Sequence, residues 1–317
     1  MIAKLFKRFS IYSVLISTLL LSLPAYIYSG LETKWVSFQD RAYTFLLIFG
    51  LLLLTLYSIR RIFKHSRLES RLHYYLLLYP LIVISFPYEY LDIRLLLCPT
   101  LFFAGWASFR EYIFARSSLS SKSTTTLLLD SVILVTFSSV IFYENIFLLI
   151  FPIIGLLFSK KSISREEIGL ICIVPVILIF TSYHLLLLFD IQTLFFSSIL
   201  SEHYFSFSNI FNIAIFSDSP KVLIVFILLF LAVLFSIRKR LEYDAKTLEY
   251  DGMVYLAIII IFIGFSRTNS GMQLHYLSLP LAYYINHLFV LKRNPFIANF
   301  IFIFLIISFL LFTFVLN

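Results

Sequence analysis

Residues 43–71 read YTFLLIFGLLLLTLYSIRRIFKHSRLESR, an apolar run that ends in a cluster of basic residues. About 20 residues of helix cross the roughly 30 Å hydrocarbon core of a bilayer, so a run of this length is close to one crossing. Short cytoplasmic loops retain Lys and Arg, whereas translocated loops carry few. The stretch therefore predicts a membrane-spanning helix whose Arg60 and Arg61 end faces the cytoplasm.

The same alternation of apolar runs and basic clusters continues along the chain. Twenty of the 25 Lys and Arg residues fall into six clusters, one in every second gap between apolar runs. These clusters are Lys4/Lys7/Arg8, Arg60/Arg61/Lys64/Arg67/Arg71, Arg110/Arg116/Lys122, Lys160/Lys161/Arg165, Arg238/Lys239/Arg240/Lys246 and Lys292/Arg293. The other gaps hold only Lys34, Arg41, Arg94, Lys221 and Arg267. This asymmetry predicts a cytoplasmic N-terminus.

The composition predicts an all-α, polytopic transmembrane helical bundle. With 61% hydrophobic and 13% charged residues, the chain has too little polar surface to cover a water-soluble particle. We predict about eleven spans, within a range of about nine to twelve. They lie near residues 10–28, 43–59, 72–88, 94–109, 125–143, 145–159, 168–189, 221–237, 253–266, 276–291 and 296–315. Residues 1–317 are expected to form a single integral membrane domain of the bacterial inner membrane.

Two segments predicted to lie outside the cytoplasm are longer than turns, residues 29–43 and 190–221, and the second is too polar for a span. Residues 190–221 mix Phe and Ile with Ser, Asn, Glu202 and His203. This pattern is suited to an interfacial helix that lies at the level of the lipid headgroups. An unstructured loop is the alternative, and it would leave many Phe side chains in water.

The segment SRTNSGMQLHYLSLPLAYYINH, residues 266–287, places four polar side chains before a predicted span. Arg267 offers a planar fork that matches phosphate or carboxylate, and Asn269, Gln273 and His275 add hydrogen-bonding groups. The segment therefore predicts an anion-binding or substrate-binding site. The alternative is a polar loop that keeps the helix end solvated.

Other charged residues mark helix ends on the side predicted to face outward. Arg94 and Glu144 form either a structural ion pair, or a ligand clamp and a general base. Glu32 and Asp40 lie in the first outward segment and are further candidates for the general base. The predicted catalytic set is thus Glu32, Asp40 and Glu144, and Arg94 joins Arg267 in binding an anion.

Soluble-enzyme motifs are missing from the sequence. It contains no GxxxxGK[ST], GxSxG or HExxH pattern, which argues against nucleotide or metalloprotease chemistry. Cys98 and Cys172 fall in different apolar runs without further metal ligands at the usual spacing, so neither a disulfide nor a metal site is expected. No cofactor is expected. The basic residues lie beside helix ends, which favours membrane lipids over nucleic acid as their partners.

Several strings resemble a known family. They are LDIRLLLCPTLFFAGWASFREYIFARS, LLLDSVILVTFSSVIFYENIFLLIF, SREEIGLICIVPVILIF and SRTNSGMQLHYLSLPLAYYINHLF. They look like an uncharacterised family of multi-spanning inner-membrane proteins from Bacteroidetes, from about residue 90 to the C-terminus. This resemblance implies an inner-membrane location and no particular function. The architecture is also similar to that of lipid-linked-sugar glycosyltransferases and O-antigen polymerases, whose outward Arg residues hold a polyprenyl diphosphate.

These observations leave three functional hypotheses. The first is an enzyme of cell-envelope biogenesis, a membrane glycosyltransferase or glycan polymerase acting on a polyprenyl-phosphate-linked saccharide at the outer leaflet. The second is a non-catalytic membrane subunit or scaffold of an envelope or secretion complex, with membrane proteins as partners. The third is a flippase or secondary transporter.

The charge asymmetry predicts the outcome of topology reporters. Fusions at Lys122 and Arg240 are expected to report the cytoplasm, and a fusion at Ser208 the periplasm, because basic loops stay inside. Paired alkaline phosphatase and fluorescent-protein fusions measure this. A cytoplasmic signal at Ser208 would contradict the topology.

Overall fold

The computed structural model describes residues 9–32, 38–64, 73–84, 93–117, 124–141, 143–157 and 163–189, together with 275, 276, 278–280, 282 and 303. The α-helices are α1 (Ile11–Glu32), α2 (Phe38–Lys64), α3 (Tyr75–Ile84), α4 (Ile93–Ser117), α5 (Thr124–Ile141), α6 (Ile150–Leu157) and α7 (Arg165–Leu188). A 3-10 helix, Tyr143–Leu149, precedes α6. Within these ranges the fold is helical, with no strand.

Each of the first seven predicted spans coincides with a helix. Within the described ranges, three helical segments are long and apolar enough to cross a membrane: Ile11–Ser29, Arg41–Phe63 and Arg165–Leu188. Tyr75–Ile84, Thr125–Ile141 and Asn145–Leu157 are shorter apolar helices. The predicted interfacial helix in 190–221 lies outside the described residues, as do nearly all residues of the later spans. The count of eleven spans, the orientation and the single-domain organisation therefore stay predictions.

The chain divides into two compact units, and most of the described part of the first unit is a three-helix packing of α1, α2 and α3. Two contacts show that α1 and α2 run antiparallel. The Arg60 guanidinium carbon lies 4.0 Å from the Phe9 ring centroid, and that of Arg41 lies 5.2 Å from the Tyr26 ring centroid. The start of each helix thus lies beside the end of the other.

Helix α3 is buried within this first unit. Its sequence YLLLYPLIVI is apolar on all sides, and every one of its residues is buried. A helix that is apolar on all sides is stable when its whole surface is buried, and α1 and α2 bury part of it. The Tyr75 ring stacks on Phe63 with 4.9 Å between ring centroids, and the Tyr79 hydroxyl is hydrogen-bonded to Thr55. Both contacts join α3 to α2.

In the second unit, which begins at Leu97, an aromatic cluster joins α4 to α6. Phe102, Trp106 and Phe109 share one face of α4, and each ring contacts Phe151 of α6 at centroid distances of 5.8, 4.8 and 5.6 Å. Edge-to-face rings of this kind stabilise by about 0.5 to 1.5 kcal/mol per pair beyond their burial. Gly155, one turn after Phe151, leaves room for the Phe109 ring, which a Cβ would overlap.

Helices α4 and α5 approach closely at a second glycine. A Cβ on Gly105 would lie 2.9 Å from the Val135 Cγ2 and 3.0 Å from the Ser131 carbonyl oxygen. Real Cβ atoms rarely approach this closely, so a larger residue would push the helices apart. Small residues have this role in membrane helix packing, where van der Waals contact replaces the hydrophobic effect.

Helix α7 packs against α5 along a narrow stripe and exposes most of its remaining surface. Glu167, Ile171 and Pro175 are its buried residues, spaced by four positions on one face. Val176, Phe180 and other large apolar side chains lie on the exposed surface. An apolar helix with such exposure is typical of one that faces lipid.

Most buried hydroxyl groups are satisfied by the helix that carries them. Ser17 donates to the Ser13 carbonyl oxygen at 2.7 Å, Thr55 to Leu51 at 2.9 Å and Thr136 to Val132 at 2.6 Å. Each hydroxyl thus bonds to a carbonyl four residues earlier on its own helix. Because of these bonds, these Ser and Thr residues occupy apolar interfaces without leaving a buried hydroxyl that lacks a hydrogen bond.

Gly155→Ala tests the aromatic cluster. Overpacking against the buried Phe109 ring is expected to destabilise by about 1 to 3 kcal/mol, offset by about 0.5 to 1 kcal/mol from the better helix propensity of Ala. The matched control is Gly169→Ala, because the nearest atom to that Cβ is 4.0 Å away. Thermal unfolding in detergent should show a lower Tm for Gly155→Ala only. Equal Tm values would contradict the packing.

Candidate functional site

The structure places four predicted site residues at helix ends. Glu32 is the last residue of α1, Asp40 lies in the first turn of α2, Arg94 is the second residue of α4, and Glu144 is the second residue of the 3-10 helix. Their side chains lie outside the described residues, so the predicted Arg94–Glu144 ion pair is undecided.

The backbone brings Glu32 and Asp40 to the same end of the α1–α2 pair. The two helices run antiparallel, and residues 33–37 lie between them. Both helices also continue beyond the predicted spans, so the segment between them is shorter than the outward loop predicted from Ser29 to Tyr43. The two carboxylates thus belong to helix ends, where their backbone positions are fixed by α1 and α2.

The predicted anion-binding segment is described at one of its four residues. His275 is buried, with 2% of its surface exposed, and its carbonyl oxygen accepts a hydrogen bond from Ser278 Oγ at 2.6 Å. Arg267, Asn269 and Gln273 lie outside the described residues. Their convergence with His275 on an anion remains a prediction.

A buried polar network lies where α5 meets the 3-10 helix, at the end predicted to face outward. Asn145 is fully buried, and its Nδ2 donates to the Ser138 carbonyl oxygen at 3.1 Å and to Ser138 Oγ at 2.9 Å. Ser139 Oγ lies 3.0 Å from the Asn145 carbonyl oxygen, to which it donates. We call these three residues the Asn145 network. It fixes the turn that carries Glu144, the residue before Asn145.

The Asn145 network also connects α5 to α4. Ser138 Oγ donates to the Cys98 carbonyl oxygen across the helix interface at 3.1 Å. Pro99 follows Cys98 within α4. A proline inside a helix removes one backbone donor and leaves a carbonyl oxygen in the preceding turn without its usual partner. The carbonyl that loses its partner at Pro99 is the one four residues earlier, so the hydrogen bond to Cys98 does not replace the missing one. It is an additional interhelical contact that joins α5 to α4.

A second cluster lies at the opposite end of α4, on the side predicted to be cytoplasmic. The Glu167 carboxylate accepts hydrogen bonds from the Tyr112 hydroxyl, from Arg116 Nη2 at 3.0 Å and from the Ser164 backbone nitrogen at 2.7 Å. The Arg116 and Glu167 side chains are only 11% and 10% exposed. We call these four residues the Glu167 cluster. It links α4 to the start of α7.

The Glu167 cluster includes the N-cap of α7. Ser164 Oγ accepts from the Glu167 backbone nitrogen at 3.2 Å, while the Glu167 carboxylate accepts from the Ser164 backbone nitrogen. This reciprocal pair is a capping box, and it satisfies backbone donors that the first helical turn leaves without partners. The carboxylate also lies at the positive end of the helix dipole. Helix initiation and interhelical pairing thus use the same side chain.

Burial and the neighbouring Glu167 carboxylate raise the pKa of the Tyr112 hydroxyl, although the nearby Arg116 guanidinium opposes this shift. Tyr112 lies beyond the span predicted at 94–109. The hydroxyl therefore stays protonated at neutral pH and can serve as a donor to Glu167.

The Glu167 cluster was not predicted from the sequence, although part of its pattern is visible there. Ser164 and Glu167 have the S-x-x-E spacing of a capping box ahead of an apolar run. Tyr112 and Arg116 are four residues apart, which places them on one face of α4. The contact between the two pairs could not be read from the sequence, because it joins positions about 50 residues apart and depends on how α4 and α7 pack.

Metal ligands do not cluster in the part of the chain that the structure describes. Within it, no group of three His, Cys, Asp or Glu side chains could hold a metal ion. Cys98 is buried and Cys172 is exposed, both as free thiols. The described sites are therefore hydrogen-bonding and ionic in character.

Comparisons with protein-family models, curated proteins and solved structures find no match to this chain.

Glu167→Gln tests the cluster. It keeps the shape of the side chain but removes the negative charge that Arg116 contacts, and breaking a buried ion pair typically costs about 3 to 5 kcal/mol. The control is Glu166→Gln, because Glu166 lies in the same first turn and is exposed. Thermal unfolding in detergent should show a large loss of stability for Glu167→Gln and little change for Glu166→Gln. Similar Tm values for the two variants would contradict the buried pair.

Proposed function

We propose that this chain is a multi-pass protein of the bacterial inner membrane with a cytoplasmic N-terminus. A membrane location is supported by the three helical segments, in the part of the chain that the structure describes, that are long and apolar enough to cross a bilayer. The alternation of basic clusters between apolar runs supports the orientation. On this topology the Asn145 network and the ends of α1 and α2 at Glu32 and Asp40 face outward, and the Glu167 cluster faces the cytoplasm.

The function we propose is cell-envelope biogenesis, by glycosyl transfer from a polyprenyl-phosphate-linked saccharide at the outer leaflet. The observation that carries this proposal is the buried Asn145 network beside Glu144. Catalytic groups act efficiently when hydrogen bonds in the supporting structure hold them in place. A turn fixed by Asn145, Ser138 and Ser139 gives the neighbouring carboxylate such a support.

The proposed reaction assigns one role to each predicted residue. Glu144 removes the proton from an acceptor hydroxyl, whose oxygen attacks the anomeric carbon of the donor sugar. The bond between that carbon and the diphosphate oxygen breaks, and the electron pair leaves with the diphosphate. Arg94 and Arg267 neutralise the charge on this leaving group. Glu32 and Asp40 are the alternative bases, and Asn269, Gln273 and His275 orient the saccharide.

A second candidate function is supported by the Glu167 cluster. There the buried carboxylate is satisfied within the chain by Tyr112, Arg116 and Ser164. Charges used in this way secure helix packing and have no need of a substrate. A non-catalytic membrane subunit of an envelope or secretion complex would use its other helix-end charges similarly.

A measurement of undecaprenyl diphosphate binding distinguishes the enzyme from the non-catalytic subunit. Native mass spectrometry of the purified protein is expected to show binding that weakens about ten- to hundredfold in Arg94→Gln and Arg267→Gln, since each loses a charge-assisted hydrogen bond. Glu144→Gln should retain undecaprenyl diphosphate binding. Its rate of glycosyl transfer between lipid-linked saccharides from the host bacterium should fall by about 10²- to 10⁴-fold. Asp130→Asn is the control, because its exposed carboxylate lies toward the other end of α5. Absence of binding in the wild type would favour the non-catalytic subunit.

A further inference from the structure

Arg60 is held in place by a row of aromatic rings. Its guanidinium carbon lies 4.0 Å from the centroid of the Phe9 ring. The Phe9 and His73 rings meet edge to face at 5.8 Å, and those of His73 and Tyr75 at 5.9 Å. Tyr75 in turn stacks on Phe63 of α2. The row joins α1, α2 and the start of α3, so Arg60 is attached to the folded unit and not to a free loop.

The guanidinium remains available to bind an anion. Arg60 is exposed, and among the described residues no carboxylate forms a salt bridge with it. The face of Phe9 restrains the guanidinium without neutralising its charge. The planar group therefore keeps N–H donors for an incoming phosphate, and less side-chain freedom is lost when that phosphate binds.

The position of Arg60 indicates what that anion is. Arg60 lies within three residues of the end of the apolar segment Arg41–Phe63, at the depth of lipid headgroups for a spanning helix. Arg61, Lys64, Arg67 and Arg71 follow it within eleven residues. Four or more basic residues beside a spanning helix attract anionic lipids by about 1 kcal/mol each.

We propose that this end of the α1–α2 pair binds the phosphate of an anionic phospholipid, with Arg60 stacked on Phe9 as the main donor. The site is independent of the proposed glycan chemistry, and it requires no particular orientation of the chain. Its partner is a lipid headgroup in whichever leaflet surrounds Arg60.

The opposite end of the same helix pair supplies a matched control. Arg41 lies over the Tyr26 ring with 5.2 Å between guanidinium carbon and centroid, also between α2 and α1. Only Lys34 lies near it in the sequence as a further basic residue. Arg41→Gln and Arg60→Gln each remove one arginine and one cation–π contact. They differ in that Arg41 lies away from the basic cluster.

The test measures phosphatidylglycerol and phosphatidylcholine binding to the delipidated, detergent-solubilised protein by native mass spectrometry. The wild type is expected to prefer phosphatidylglycerol. Arg60→Gln should weaken phosphatidylglycerol binding about tenfold or more, through one lost charge-assisted bond. Phe9→Leu should weaken it less, because the charge remains and only its restraint is lost. Arg41→Gln should bind as the wild type does, and circular dichroism confirms that each variant is folded.

Two further outcomes complete the test. Millimolar inorganic phosphate is expected to leave phosphatidylglycerol binding nearly unchanged, because free phosphate lacks the acyl chains that bring a lipid to the helix surface. Full displacement by inorganic phosphate would overturn the lipid assignment. Equal binding of the two lipids, or equal losses in Arg60→Gln and Arg41→Gln, would overturn the site itself.

Discussion

The Glu167 carboxylate satisfies three donors, and its side chain is only 10% exposed. It accepts from Tyr112 and Arg116 of α4 and from the backbone that begins α7. An ionised carboxylate with a tenth of its surface exposed needs such partners, because burial without them costs several kcal/mol. This requirement joins the start of α7 to α4, in addition to the packing of α7 against α5. Ile171 and Pro175 continue the buried face that begins at Glu167, and most of the remaining surface of α7 is exposed.

The same constraint explains the other described polar groups. The Asn145 network satisfies donors and acceptors between α4, α5 and the 3-10 helix, and hydroxyls within the helices bond to their own backbone. Water is scarce in the interior of an apolar bundle, so most of these buried polar groups lie where another polar group can reach them. Ser131 Oγ is an exception, since it is buried without a hydrogen-bond partner among the described residues. Glycine at positions 105 and 155 then allows the helices and rings to approach closely.

Apolar run length and charge placement were sufficient to predict the first seven helices, because both are local properties of the sequence. The residues at which these helices begin and end were less predictable. Helix α2 continues through Arg60 and Arg61 to Lys64, since a helix can extend past the hydrocarbon while its basic side chains reach water. The turn at Tyr143–Leu149 is a 3-10 helix, which hydropathy does not distinguish from an α-helix.

The candidate site was predictable only at the level of helix ends. Glu32 and Asp40 lie at one end of the α1–α2 pair, as two consecutive spans require. Asn145 was not predicted, because a neutral amide in an apolar run carries no charge signal, and its role depends on Ser138 from the preceding helix. The contacts of Glu167 with Tyr112 and Arg116 likewise could not be predicted from patterns of neighbouring residues in the sequence. Contacts between distant segments depend on helix rotation and packing, which a single sequence does not specify.

A double-mutant cycle between Arg116 and Glu167 tests most directly whether the two side chains form one buried pair. Unfolding free energies in detergent are compared for the wild type, Arg116→Gln, Glu167→Gln and the double variant. If the two side chains form one buried pair, the second substitution costs much less once the first is present, with a coupling of about 0.5 to 3 kcal/mol. Additive losses would show that the two residues act independently, and would contradict the account of how α4 and α7 are held together.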